Sequence, residues 1–397
     1  MDVSRRRALG GLLGVAGASL VGCADQAAAP AASTGAASTP TRTQTQTSRP
    51  TSATTSASSA TPTPTTTSSS AAPARPTWPL TGEPVGDASK LRHAAVGVKV
   101  PDTQGEHPQV GLDKADIVFV EMDGYRDAAG YSSTRLLPVF HSRMPDAVGP
   151  VRSLRPVDVP LLSPMHAIVG NTGGAGWVLN YVEQADAYVE GMLSYMNTRG
   201  TGSYSIDPRR VRVLGGVTYY DRAVLCHPTV LARQSRTFST APPMPYFPFA
   251  ADAAGASTAT GSAARTIRVP WKGNDYAMSY AYDSGTRTYL RSMPWGRHVL
   301  ANGVRVAPDN VLVIRAGQTY RKLVSGRGAV EPVHEIMDAR GSFFYFNGGR
   351  GVTGTWAKTA INESFSLTLD SGEPLRMAPG QTYVELVATG AQVTFKA

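Results

Sequence analysis

The sequence predicts an α+β fold, in which a mixed α/β N-terminal portion follows a disordered stalk and leads into a mostly antiparallel β C-terminal portion. Three observations carry this. Apolar Val/Ile runs alternate with glycine-entered helical spacing between about residues 94 and 236. Beyond residue 264 the texture changes to short aromatic and β-branched runs broken by glycine turns. Before residue 78 the chain is almost entirely Ala, Ser, Thr and Pro, a composition that buries too little surface to offset chain entropy.

In chain order, residues 1–23 read as an export signal. Arg5, Arg6 and Arg7 precede the apolar run "ALGGLLGVAGASL", which is too short to stay in a bilayer as a span. The run ends in "LVGC", so Cys23 carries the signature of lipoprotein processing. The arginines also suit a twin-arginine exporter, with Sec export as the alternative. Residues 24–77 form the stalk, a flexible and partly extended linker that would hold a domain away from a membrane or through a wall.

The folded region starts at residue 78. "AAVGVKV" (94–100), "ADIVFVEM" (115–122), "STRLLPVFHS" (133–142) and "HAIVGN" (166–171) read as strands. Pro138 argues that the third lies at an edge or a bulge. "TGGAGWVLNYVEQA" follows as a glycine turn into a helix. Residues 215–236 predict a strand or turn and then a helix from Pro228. Residues 251–264 read as a linker or loop dividing a 78–250 domain from a 265–397 domain. In the latter, "DSG" at Asp283 and Asp370 signals hairpins.

Composition narrows the function. The formal net charge is +9, from 38 Lys and Arg against 29 Asp and Glu. An exported lipoprotein does not meet nucleic acid, so acidic wall polymer, anionic headgroups or an envelope protein are the expected partners. With Cys23 given to lipid, Cys226 stands alone and forms no intramolecular disulfide. No CxxC or HExxH spacing occurs, and no metal or cofactor is expected. A Gly-x-Ser-x-Gly elbow and a Ser-x-x-Lys setting are also missing from the sequence.

The segment "DAVGPVRSLRPVDVPLL" (146–162) places Arg152 and Arg155 three apart after a Gly149-Pro150 turn. On a helical or 3₁₀ turn they share one side. With Arg135 they would form a guanidinium pocket for carboxylate or phosphate, with Ser153 as cap or donor. The competing reading pairs them with Asp116, Glu121, Asp123 or Asp158 to lock the strand order. "GNTGGAG" (170–176) adds Asn171 as a polar ligand or serves only as a turn. His227 is the candidate acid/base, although Cys226 beside it points elsewhere. Trp295, Trp356, Tyr345 and Tyr383 would stack glycan or pack the core.

"HPQVGLDKADIVFVE", "STRLLPVF", "VGPVRSLRPVDV" and "GTWAKTAINESFSLTLDSGEPLRMAPGQTYVELV" occur in this order. Together they resemble the YerB-like lipoprotein family, whose exported part is a domain of unknown function with a distinct C-terminal portion. The resemblance runs from about residue 80 to the end and implies a lipoprotein on the outer face of the cytoplasmic membrane, without implying a reaction. The chain departs from the family pattern at Pro156 and Pro160 and at "CHPT" (226–229). The leading expectation is therefore a non-enzymatic, lipid-anchored envelope protein that binds an anionic ligand, wall polymer or partner protein in a groove. Arg135, Arg152, Ser153, Arg155, Asn171 and His227 would line it. The alternative is an envelope hydrolase or transferase with His227 as acid/base, whose mark would be a carboxylate within reach of His227 and the arginines nearby.

Overall fold

Apolar β-branched runs extend because their side chains pack well on a pleated surface. In the computed structural model they build most of the molecule. The structure describes residues 76–126, 132–272 and 276–397. The signal segment, Cys23 and the stalk up to residue 75 lie outside the described residues.

The first half contains β1 (Val96–Val98), β2 (Val100–Pro101), β3 (Ile117–Arg126), β4 (Ser132–Phe140), α1 (Asp158–Leu162), β5 (Ile168–Gly170) and α2 (Gly176–Glu183). It continues with β6 (Tyr204–Ile206), β7 (Arg212–Leu214), β8 (Val217–Tyr219), β9 (Val224–Cys226) and α3 (Pro228–Ala232). Each strand run read from the sequence contains a strand, although His166 at the head of the fourth is left-handed, and α2 and α3 start where glycine and Pro228 signal them. The helices are shorter than an α+β expectation implies, so the described chain is mostly β with a few short helices. Pro160 stands third in α1, in the first turn where its missing N–H does least harm, and the helix ends at Ser163, whose hydroxyl donates back to the Val159 carbonyl.

The second half contributes β10 (Ser262–Ala263), β11 (Thr266–Lys272), β12 (Tyr276–Asp283), β13 (Thr288–Met293), β14 (Gly296–Arg297), β15 (Asn310–Arg321), β16 (Glu331–Glu335) and β17 (Ala339–Asn347). β18 (Arg350–Lys358), β19 (Ser366–Leu369), β20 (Thr382–Ala388) and β21 (Thr394–Lys396) complete it.

One large sheet draws strands from both halves, in the order β10-β18-β17-β15-β20-β3-β4-β1-β5. The join is parallel pairing of β20 with β3, Thr382 opposite Ile117 through Glu385 opposite Val120. Residues before and after 251–264 therefore share one hydrogen-bonded sheet. The 251–264 segment holds a 3₁₀ turn (Ser257–Thr260) and the edge strand β10. With Gly351, Asp370 and Arg376 it also walls an open groove of about 910 Å³. A five-stranded sheet, β14-β13-β12-β11-β21, packs over the large one.

Alternation sorts the side chains. Phe119, Leu137, Leu312, Ile314 and Val384 face α1 and α2 on one side. Val118, Val120 and Leu136 face the other, as do Val311, Val313 and Val387 under the five-stranded sheet. Pro138 is not at an edge: β4 lies between β3 and β1, with Pro138 opposite Val118. Its missing donor falls opposite the interruption between β1 and β2, where the ladder to β4 is broken.

Candidate functional site

The 150–155 segment forms neither helix nor strand. Backbone bonds hold it on three sides: Val151 N–H donates to Val224, Arg152 N–H to Lys99, and Leu154 N–H to Gly173. Arg152 and Arg155 leave it toward different partners, Glu106 and Asp221 for the first and Glu331 for the second. This corrects the shared pocket expected from their spacing.

Arg155 turns under β3. Its Nε donates to the Asp123 carbonyl at 2.7 Å and lies 3.5 Å from Glu331, and Nη1 donates to the Leu154 carbonyl at 3.0 Å. Arg135 donates to the Asp123 carboxylate at 2.8 Å and to the Ser153 carbonyl at 2.7 Å. Beside them the fully buried Lys99 bridges Glu121 and Asp158, the latter at 2.7 Å. The second Asp158 oxygen accepts the Arg155 N–H. Burial and then the Asp158 charge push the Glu121 carboxyl upward, against Lys99 and Arg135. Here the arginines are satisfied by their own chain.

Asn171 is likewise structural. Its amide donates to the Val169 and Gly191 carbonyls, and its carbonyl accepts the Gly173 N–H at 2.8 Å. It is buried and ties a turn rather than lining a pocket. The Ser153 hydroxyl reaches only Thr172, at 3.5 Å. His227 contacts the Asp146 carbonyl through Nδ1 at 2.6 Å and the Ser205 hydroxyl through Nε2 at 2.8 Å. A carbonyl only accepts, so Nδ1 carries a proton and donates to Asp146. Neither contact is a carboxylate, so the mark of the hydrolase reading is not met. Cys226 is buried, and burial pushes its thiol up. Trp356, Tyr345 and Tyr383 are core residues, and Trp295 packs edge-on against His107.

Arg152 goes the other way, into a cluster the sequence reading missed. It pairs with Glu106 and lies 3.5 Å from Asp221. Arg212 reaches the same Asp221 carboxylate at 2.7 and 2.9 Å. Arg222 adds its field to both Arg152 and Asp221. Its Nε is buried without a hydrogen-bond partner among the described residues. The backbone at Gly105 fits closely against it, for a Cβ there would meet the Arg222 guanidinium at 2.8 Å. Burial holds Arg152 below the usual arginine range, as do Arg222 and Arg212, against Asp221. The signal was visible as "DPRRVRVLGGVTYYDR" (207–222), basic residues around an apolar turn.

On the opposite face of the sheet, Asp102 and Arg291 form a fully buried ion pair at 2.9 Å. Arg291 Nη1 also donates to His298 Nδ1 at 2.7 Å, and His298 Nε2 to Gln109 at 2.9 Å. Asp102, His107 and His298 bring possible metal ligand atoms within 4.8 Å of one another. The Arg291 guanidinium already supplies the cation among them, and a metal ion would have to displace it. Glu385 completes the network through Trp271, Tyr280 and, at 3.7 Å, Arg291.

Two family descriptions match this chain. The "Protein of unknown function (DUF3048) N-terminal domain" covers residues 80–209, and its C-terminal counterpart covers 267–384. The chain belongs to the YerB-like DUF3048 family. The protein named "Putative lipoprotein YerB" of Bacillus subtilis (strain 168) is 34% identical over 119 residues, 30% of this chain and 32% of that relative. The match thus spans about a third of the curated relative. The crystal structure of Bacillus subtilis YerB superposes with a TM-score of 0.62 at 22% identity, over 81% of this chain and 100% of that one, which shows the shared fold. The segment "VGPVRSLRP", within the N-terminal match, sends Arg152 and Arg155 to different places. No helix among the described residues is long and apolar enough to cross a membrane.

Proposed function

We propose that this YerB-like protein is a cell-envelope binding module, lipid-anchored through Cys23, that takes an anionic ligand at Arg152, Arg212 and Arg222. The observation that carries the reading is the convergence of three guanidinium groups near one carboxylate, Asp221, with Arg222 making no ion pair of its own among the described residues. Arg152, Arg209, Arg210, Arg212 and Arg222 here outnumber Glu106, Asp207 and Asp221. A phosphate or carboxylate arriving at Arg222 would complete its hydrogen bonding with paired donors. The groove expected from sequence thus contracts to Arg152 and gains Arg212 and Arg222. Arg135, Arg155 and Asn171 keep structural partners.

The test uses residues 70–397, the compact unit that holds all three apolar clusters. Titration calorimetry with poly(glycerol phosphate) and with inorganic phosphate should show saturable, salt-sensitive binding. Arg152→Ala with Arg222→Ala should weaken it by at least about tenfold, the loss of a charge-assisted bond or more. A folded double variant that binds as well as the parent removes this reading.

A further inference from the structure

We infer that the β7–β8 hairpin is a docking element for an anionic bilayer: its apolar tip enters the headgroup region while the arginines at its root take lipid phosphates. The inference rests on reading the arginine cluster as an anion site and names that site's ligand as a lipid headgroup. β7 and β8 form a two-stranded sheet of their own, joined to neither large sheet. Such a ribbon is marginal alone in water, and this one presents apolar side chains outward. Val213 is 65% exposed, Leu214 54%, Val217 53% and Tyr220 52%. Along the rest of the described chain, large exposed apolar side chains are Met196, Met244, Val330 and, on one turn, Val299 and Val304, which is ordinary for a surface.

The register gives the hairpin a direction. Leu214 pairs with Val217, and Arg212 pairs with Tyr219. Paired residues and those two apart share a face. One face thus carries an aliphatic pair at the tip and an Arg–Tyr pair one step nearer the body. Gly215 and Gly216 close the tip with positive φ and no side chains, leaving Leu214 and Val217 as the leading atoms. The two pairs are separated by about 7 Å along the strands. That matches the roughly 5–10 Å to which interfacial elements sink, and places Tyr219 and Arg212 at headgroup depth, where tyrosine and arginine are favoured.

The charge at the root fits an anionic surface. Arg209 is exposed, and Arg212 and Arg222 stand beside Arg152. Lipid phosphates would meet Arg222 as the tip enters, and each basic residue near an anionic leaflet adds to the attraction. A lipid anchor at Cys23 would keep the body within roughly 180 Å of the bilayer even with the intervening chain fully extended, so docking would be an intramolecular event. A protein partner would need a matching acidic rim around an apolar cleft, whereas the tip-to-root order of aliphatic, tyrosine and arginine is the order of a membrane interface.

The test is co-sedimentation of residues 70–397 with phosphatidylcholine vesicles and with vesicles that also contain phosphatidylglycerol. The parent should bind the anionic vesicles only. Leu214→Ser with Val217→Ser should lose at least about tenfold of that binding while keeping the parent's affinity for inorganic phosphate. This tip pair is exposed, so an unchanged melting temperature should accompany the loss. Binding of the tip variant to vesicles at parental strength overturns the docking role. Phosphate binding with no vesicle binding by the parent overturns the lipid assignment and leaves the anion site standing. Loss of both ligands only in Arg152→Ala/Arg222→Ala, with the tip variant unaffected, overturns the hairpin while keeping the cluster. Self-association of the parent that the tip variant abolishes, without vesicle binding, assigns the hairpin to a second copy instead.

Discussion

Replacing Arg291 by Met should show how tightly the two halves of the chain depend on one another. Arg291 lies on β13 and Asp102 follows β2, and both are sealed from solvent in an ion pair at 2.9 Å. Methionine fills most of the volume but leaves Asp102 and Glu385 without a cation. Removing one partner of a buried pair typically costs about 3–5 kcal/mol. Asp102 keeps Gln109 and Thr134 as donors, and Glu385 keeps Trp271 and Tyr280. The expected loss therefore sits at the lower end, about 3 kcal/mol. Burial works to raise the Asp102 carboxyl, and Arg291 with His107 outweighs it, holding it well below the usual range. A depressed carboxyl stabilises the fold above its unfolded pKa of about 3.9 and loses that contribution in acid. The penalty of Arg291→Met should thus be full at pH 6 and shrink below pH 4. Urea unfolding at both pH values, followed by tryptophan fluorescence and circular dichroism, measures it. A shared sheet also requires one transition for both probes. A loss under about 1 kcal/mol at pH 6, or separate transitions with only the later one shifted, would refute the reasoning.

His141 is buried, donates Nε2–H to the Leu91 and His93 carbonyls, and is lowered to about 4 by burial and then by His93. A histidine held neutral stabilises the fold above its unfolded pKa near 6.5 and loses that contribution toward pH 4, by about 3 kcal/mol. His141→Gln should flatten the acid limb of a denaturation profile, and an unchanged limb would count against it. Neighbouring Asp116, raised to about 6 by burial, has the opposite sign and is present in both proteins. Lys99→Met should cost about 3–5 kcal/mol by stranding Glu121 and Asp158, and adding Glu121→Gln should return part of that; strict additivity of the two losses would show that they do not interact. Cys226 should resist iodoacetamide in the native protein and react after unfolding, since it is sealed and its thiol is pushed up; native labelling at the rate of a free thiol would contradict this.

What could be read in advance follows from the range of the forces involved. β3, β4, β5 and α2 were legible because local apolar periodicity and glycine entry decide them. The pairing of β20 with β3 was not, because it joins residues more than two hundred positions apart and nothing in either strand names its mate. Pro138 misled because the rule that confines proline to edges assumes an unbroken ladder, and here the neighbouring strand is interrupted opposite it. The site divided for a related reason. The spacing of Arg152 and Arg155 reads as one face only if the segment is helical, and backbone bonds to Val224, Lys99 and Gly173 hold it out of a helix. Arg222 escaped notice because its neighbours Arg152 and Gly105 come from other parts of the chain.

The segment that carries Arg152 and Arg155 therefore has two separable roles, and the two arginines should report them independently. Arg155 is about a tenth exposed, donates to the Asp123 and Leu154 backbone carbonyls and pairs with Glu331. Arg155→Met removes those bonds inside the body, a loss of about 2–3 kcal/mol. Arg152 is a quarter exposed, Asp221 keeps Arg212, and Glu106 keeps Thr103. Water reaches Asp221, but Glu106 is only 5% exposed and loses its cation, so Arg152→Met should cost about 3 kcal/mol. Anion binding should separate the two, lost in Arg152→Met and kept in Arg155→Met while that variant is folded. Both measurements can be made on the same two proteins by urea titration and phosphate calorimetry. Folded variants that both lose anion binding would mean that the segment acts as one unit, and that its backbone does not divide the arginines as the geometry requires.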